Sequence, residues 1–171
     1  MFKLNEKVTR QKMKTFQLQT QIWLPQSPDK IFDFFSHPRN LDRLTPPWLK
    51  FRIETPEAIK IAPGTLLDYR LRIHGVPIRW QSEVSAWQPP HRFVDRQTKG
   101  PYSLWVHEHT FEDYQGGTLV GDNVEYAVPG GIIVRKFLVA PDLERIFKYR
   151  HQVLSGLFHG SKQHKTINSM A

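Results

Sequence analysis

Alternation of apolar and polar side chains dominates the middle of the chain. Residues 91–126 read HRFVDRQTKGPYSLWVHEHTFEDYQGGTLVGDNVEY, three alternating runs joined by Lys99-Gly100-Pro101 and Gln115-Gly116-Gly117. A two-residue period sends successive side chains to opposite faces, so each run predicts a strand of one sheet. One face then gathers Phe93, Asp95 and Gln97, next Trp105, His107, His109 and Phe111, and last Val120, Asp122, Val124 and Tyr126. An apolar face with a polar minority suits a binding cavity as well as a plain core.

The same period marks strands before this stretch. Residues 15–24 alternate Phe16, Leu18, Thr20, Ile22 and Leu24 against glutamines. Ser27-Pro28-Asp29 predicts a helix start over PDKIFDFFS, with Ile31, Phe34 and Phe35 on one side and Phe32 at the edge, and His37-Pro38 ends it. A second helical turn follows over 39–44, burying Leu41 and Leu44. LKFRIETP predicts a strand with Leu49, Phe51 and Ile53 in phase, and TLLDYRLRIHG one with Leu67, Tyr69, Leu71 and Ile73 inward. In 78–87, Ile78, Trp80, Ser82, Val84 and Ala86 share a face. After Val128-Pro129-Gly130-Gly131 the period lengthens. GIIVRKFLVA predicts a short apolar helix, and Pro141-Asp142 opens a second of about 18 residues with Leu143, Ile146, Phe147, Arg150, Leu154, Leu157 and Phe158 on one stripe.

About six strands joined by short turns predict an antiparallel sheet, and a long amphipathic helix arriving last covers its concave face. The fold class is α+β, with a space between sheet and helix.

Composition narrows the chemistry. A chain of 171 residues is one domain by length, able to bury roughly two-thirds of its unfolded surface. The absence of cysteine excludes disulfides, thiolate metal ligands and thiol nucleophiles. No run approaches the ~18 apolar residues of a membrane span, and a cytoplasmic location is the expectation. The net charge of +8 is concentrated at the ends: residues 1–14 carry +4, 161–171 add Lys162 and Lys165, and the body from 15 to 160 carries only +2. We therefore expect a flexible basic N-terminal tail over 1–14, a single domain over 15–160 and a flexible C-terminal tail over 161–171, with Met13 an alternative start. The tails offer at most weak contact with an anionic surface, and no specific nucleic acid is expected as a partner.

The pieces SPDKIFDFF, GTLLDYRLRIHGVPIRWQSEV, PPHRFVDRQTKGPYSLWVHEHTF and GGTLVGDNVEYAVPGG occur in this order over about residues 15–159. They resemble the START-like, helix-grip superfamily (SRPBCC), and within it a bacterial group of cyclase/dehydrase-like ligand-binding proteins. The resemblance implies a curved antiparallel sheet of six to seven strands wrapped around a long C-terminal helix, with two short helices after the first strand. It also implies a deep cavity for a lipid, polyketide, isoprenoid or other bulky apolar molecule. The superfamily includes carriers, sensors, aromatase/cyclases and ring hydroxylases; the cysteine ligands of the hydroxylases are missing here. No catalytic motif is common to all members.

The candidate ligand-binding residues are Tyr69, Trp80, Phe93, Asp95, Gln97, Trp105, His107, His109, Phe111, Asp122 and Tyr126. His107 and His109 point to one face about 6 to 7 Å apart at the strand rise. Asp95 and Asp122, from the flanking strands, are placed to hydrogen-bond them and fix a tautomer, the pairing a general base needs. His107, His109 and Asp122 are thus the catalytic candidates. Equally, the four polar groups satisfy one another in a core network. No metal or other cofactor is expected: Glu108 projects to the opposite face, and a catalytic zinc normally takes three protein ligands. The readings left open are a carrier or sensor of a hydrophobic molecule, a cyclase- or dehydratase-type enzyme, and an interaction module using the basic ends. The oligomeric state is not legible.

Overall fold

The computed structural model describes residues 13–56, 59–159 and 166–169. In chain order, β1 (Phe16–Leu24) leads into α1 (Pro28–Ser36), α2 (Arg39–Leu44), a 3-10 turn (Pro47–Leu49) and the two-residue β2 (Arg52–Ile53). Then come β3 (Leu66–Ile73), β4 (Val76–Gln88), β5 (Arg92–Lys99), β6 (Leu104–Tyr114) and β7 (Gly117–Ala127). A continuous helical run follows as α3 (Gly131–Val134), a π-turn (Arg135–Val139) and α4 (Ala140–Phe158), and β8 (Thr166–Ser169) ends the described chain. The strands form one curved antiparallel sheet in the order β2-β3-β4-β5-β6-β7-β1-β8. The short β8 lies in the segment expected as a C-terminal tail and extends the β1 edge. The remainder of that tail and the expected basic tail through residue 12 lie outside the described residues.

The alternating faces fall as the pattern predicts. Phe93 pairs with His109, Asp95 with His107, His109 with Asp122, and Trp105 with Tyr126. Phe111, Val120, Val124 and Tyr126 are 0–1% exposed, packed beneath α4 and the short helices. Glu108, on the outer face, pairs with Arg92. None of the described helices is long and apolar enough to cross a membrane.

Four local readings change. Ser27 takes the N-cap position of α1 without a side-chain hydrogen bond, and Pro28 supplies the helix start. In α1, Ile31 and Phe32 are the buried pair, because Phe32 turns into a cluster with Trp87, Phe93 and Phe111. Leu49 belongs to the 3-10 turn: Pro47 starts it, and the left-handed Lys50 (φ 44°) prevents the strand from beginning before Arg52. Pro141 does not open a separate helix. An α-turn here would press its ring against the Phe137 carbonyl. The wider π-turn, with Ala140 N–H donating to the Arg135 carbonyl, absorbs the proline inside one helical run.

Candidate functional site

A cavity of about 520 Å3 lies between the β3–β6 part of the sheet, the two short helices and α4. Its walls are mostly apolar. Leu67, Tyr69, Leu71 and Ile73 line it from β3, and Trp80, Ser82 and Val84 from β4. The alternation on β4 then breaks. The pairing shifts between Val84 and Ala86, so that Trp87, not Ala86, faces inward opposite Phe93. One extra residue at a β-bulge reverses the parity of all that follow.

Of the sequence-predicted site residues, Tyr69, Trp80, Phe93, Asp95, Trp105, His107 and His109 line the cavity. Gln97, Phe111, Asp122 and Tyr126 do not reach it. Phe111 and Tyr126 are packed in the cores behind it. Gln97 instead grips the β5–β6 turn, its Nε2 donating to the Tyr102 carbonyl (2.8 Å) and its Oε1 accepting from Tyr102 N–H (3.3 Å). A Cβ on Gly100 would collide with that amide, so a side chain there would displace the grip. The grip presents Tyr102 to Trp80 and Trp105, ring centroids 5.5 and 4.7 Å away, and Trp80 meets Trp105 edge-on at 5.4 Å. These three aromatics form one wall.

A polar patch adjoins this wall and is built around Asp122, which lies one step behind the cavity surface. His107 Nε2–H donates to Asp122 Oδ1 at 2.8 Å, and His109 Nδ1 lies 3.1 Å from the same oxygen. His109 Nε2 is 3.2 Å from Asp95 Oδ2. Ser82 Oγ reaches the other Asp95 oxygen at 3.4 Å and receives the Trp80 indole N–H at 3.1 Å. The two imidazoles stand 3.8 Å apart by centroid, closer than strand rise alone gives, because one carboxylate draws both inward.

Sequence reasoning missed the fifth member. Arg150, placed among the apolar stripe of the last helix, is only 7% exposed. Its guanidinium lies between the Phe35 and Phe147 rings, 5.2 and 5.9 Å from their centroids. From there Nη2 reaches His109 Nδ1 (3.4 Å) and Asp122 Oδ1 (3.6 Å). A cation on an otherwise apolar helical stripe was the available signal, since a buried arginine needs a partner.

Electrostatics follow from this packing. Burial would raise the Asp122 carboxyl, but the Arg150 charge and hydrogen bonds from His107 and His109 outweigh it and hold its pKa well below the usual range. Asp95 behaves alike: burial is overcome by the His109 hydrogen bond and the positive field of His107, His109 and Arg150, and its pKa falls. For His107, burial and the neighbouring His109 outweigh Asp122, and its pKa is lowered, which favours the neutral ring. Burial, then the charge of Asp95, pushes the Tyr69 phenol up. Among the described residues, Asp122 Oδ2, Arg150 Nε, Thr20 Oγ1 and His151 Nε2 are buried with no protein partner. His109 Nδ1 is shared between Asp122 Oδ1 and Arg150 Nη2, so the tautomer decides which of the two it bonds. Asp95, His107 and His109 also bring donor atoms within 4.8 Å of one another, the donor set of a metal site, although the Arg150 charge beside them opposes a cation.

No family model matches the chain, and no curated protein matches it. Solved structures do. Protein Ms6760 from Mycobacterium smegmatis is similar over 86% of this chain and 93% of its own, at 15% identity and a TM-score of 0.64. CV1439 from Chromobacterium violaceum covers 83% and 96% at 11% identity and 0.66. Major latex-like protein 151 from Panax ginseng covers 84% and 97% at 13% and 0.64. Similarity at these identities speaks for architecture alone, and on that footing the chain has the helix-grip fold of the START-like superfamily, as its motifs implied.

Proposed function

We propose that the protein binds a hydrophobic or aromatic small molecule in this cavity, as a carrier or sensor. The observation that carries the reading is a mostly apolar chamber with a buried polar cluster in its wall, within the ~300–1,000 Å3 range of small-molecule sites. Trp80, Tyr102 and Trp105 offer flat surfaces to a conjugated or polycyclic ligand. Asp95, His107, His109 and Arg150, beside them, orient a hydroxyl or carbonyl of the ligand. Two carboxylates beside one guanidinium disfavour an anionic ligand group. Nile red titration and native mass spectrometry test this. The expectation is saturable uptake of one probe per chain, weakened at least about tenfold by Leu71→Trp, which fills the chamber. A wild-type protein with neither saturable uptake nor a retained ligand sinks the reading.

A second reading, a cyclase- or dehydratase-type enzyme, is favoured by two imidazoles that line the cavity and are each held by a carboxylate. It takes His109 or His107 as acid/base, with Asp122 positioning both rings. Turnover of an identified ligand that survives both His107→Gln and His109→Gln refutes it.

A further inference from the structure

The lip of the cavity carries a surface that ligand binding alone does not explain. Ile132, Ile133, Phe137 and Leu138 are 52, 68, 69 and 51% exposed. They lie on α3 and the π-turn at steps of four and five residues, so they share one side of the helical run. Val134, Leu138 and Val139 line the cavity, so the same turns are cavity wall within and apolar surface without. Across the mouth, the β3–β4 turn bonds the start of α4 through His74 Nε2 and Asp142 Oδ2 (2.6 Å), and its Val76 is 58% exposed. Lys136 is exposed between the apolar pairs, Arg135 turns inward to the Tyr126 hydroxyl (3.3 Å) and the Phe16 ring, and residues 131–139 contain no acid.

We propose that this lip docks the protein on an anionic lipid bilayer, with Ile133 and Phe137 entering the acyl boundary and Lys136 facing the headgroups. Large exposed apolar side chains beside a cation, with no acid among them, are what an interfacial segment requires. The charge pattern disfavours the other occupants. A second copy would bring two Lys136 side chains together with no acid among residues 131–139 to pair them. The segment 1–12 is itself basic and would be repelled. Docking would hold the mouth against the bilayer, where an apolar ligand is exchanged without crossing water.

The test is co-sedimentation with phosphatidylcholine vesicles, with and without one-third phosphatidylglycerol. Wild type is expected to bind the anionic vesicles, less so at high salt, and Ile133→Glu/Phe137→Glu to bind at least about tenfold more weakly. Neither residue lines the cavity, so Nile red uptake without vesicles is expected to persist. Because the chain has no cysteine, a single Phe137→Cys carrying an environment-sensitive dye gives a second readout. Its emission should shift to the blue on anionic vesicles, whereas a dye at Glu112→Cys, toward the far end of the strands, should not shift. Absence of wild-type binding, equal binding by the double variant, loss only on deleting residues 1–12, or a dimer in sedimentation velocity that the double variant abolishes would each overturn the proposal. Docking is read with an empty cavity, so it and the ligand-binding reading can fail separately.

Discussion

The concave face of the sheet has two halves made from the same alternation. On β6, β7 and β1 the inward residues Phe111, Val120, Val124, Leu18 and Ile22 are at most 3% exposed, closed over by Leu143, Phe147 and Leu154 of α4 and by α1. On β3 and β4 the inward Leu71, Ile73 and Trp80 stay half-buried and look into the cavity. The polar cluster lies at the seam between the halves, where Arg150 meets the β5–β7 wall. The lesson is that the pleat decides which residues face inward, whereas the helix path decides whether they become core or chamber wall.

The largest expected effect lies at the seam. Asp122→Ala leaves the Arg150 charge buried without its carboxylate, and we expect a loss of about 3–5 kcal/mol in urea unfolding. Asp122→Ala with Arg150→Met should recover part of it. A double variant as unstable as Asp122→Ala alone would mean that the pair is not coupled. Next comes the contrast between halves. Leu154→Ala, fully buried in the packed half, should cost about 2–5 kcal/mol, and Leu71→Ala, already facing space, less than about 1.5. Equal losses would erase the distinction between core and chamber.

The strand faces and the polar quartet were legible because alternation needs only sequence. The departures have physical causes that one strand's pattern does not contain. The bulge after Val84 is a property of the β4–β5 pairing, and it alone turns Trp87 inward. Arg150 was visible as a position on the α4 stripe, but its meeting with Asp122 depends on how α4 crosses the sheet. Gln97, Phe111 and Tyr126 share the predicted face, yet the turn and the core hold them away from the cavity. The π-turn answers a clash between residues four apart, which hydrophobic periodicity does not register.

An intermediate effect is expected from pH. His107 and His151 have lowered pKa values in the folded chain, above all through burial. Between those values and the ordinary 6.5 the unfolded chain binds more protons. Stability should therefore fall as pH drops below about 6.5, by up to about 1.4 kcal/mol per pH unit for each histidine. The depressed Asp95 and Asp122 act in the other window, below the usual carboxylate range, where their stabilisation is lost on protonation. Unfolding followed from pH 7 to 5 checks the sign, and His151→Gln should flatten the slope. A stability that rises on acidification would mean that these rings are not held neutral.

The smallest thermodynamic effect belongs to the mouth. The His74–Asp142 contact is well exposed on the histidine side, so solvent screening leaves about 0.5 kcal/mol or less to lose in His74→Ala. Its place makes it informative all the same. The contact joins the β3–β4 turn to the start of α4 across the chamber opening, so removing it should speed entry and release of a hydrophobic probe while leaving the packed half untouched. Stopped-flow Nile red exchange should be several-fold faster in His74→Ala, with urea unfolding nearly unchanged. Unchanged exchange would locate the path into the chamber elsewhere and separate the lip from the ligand route.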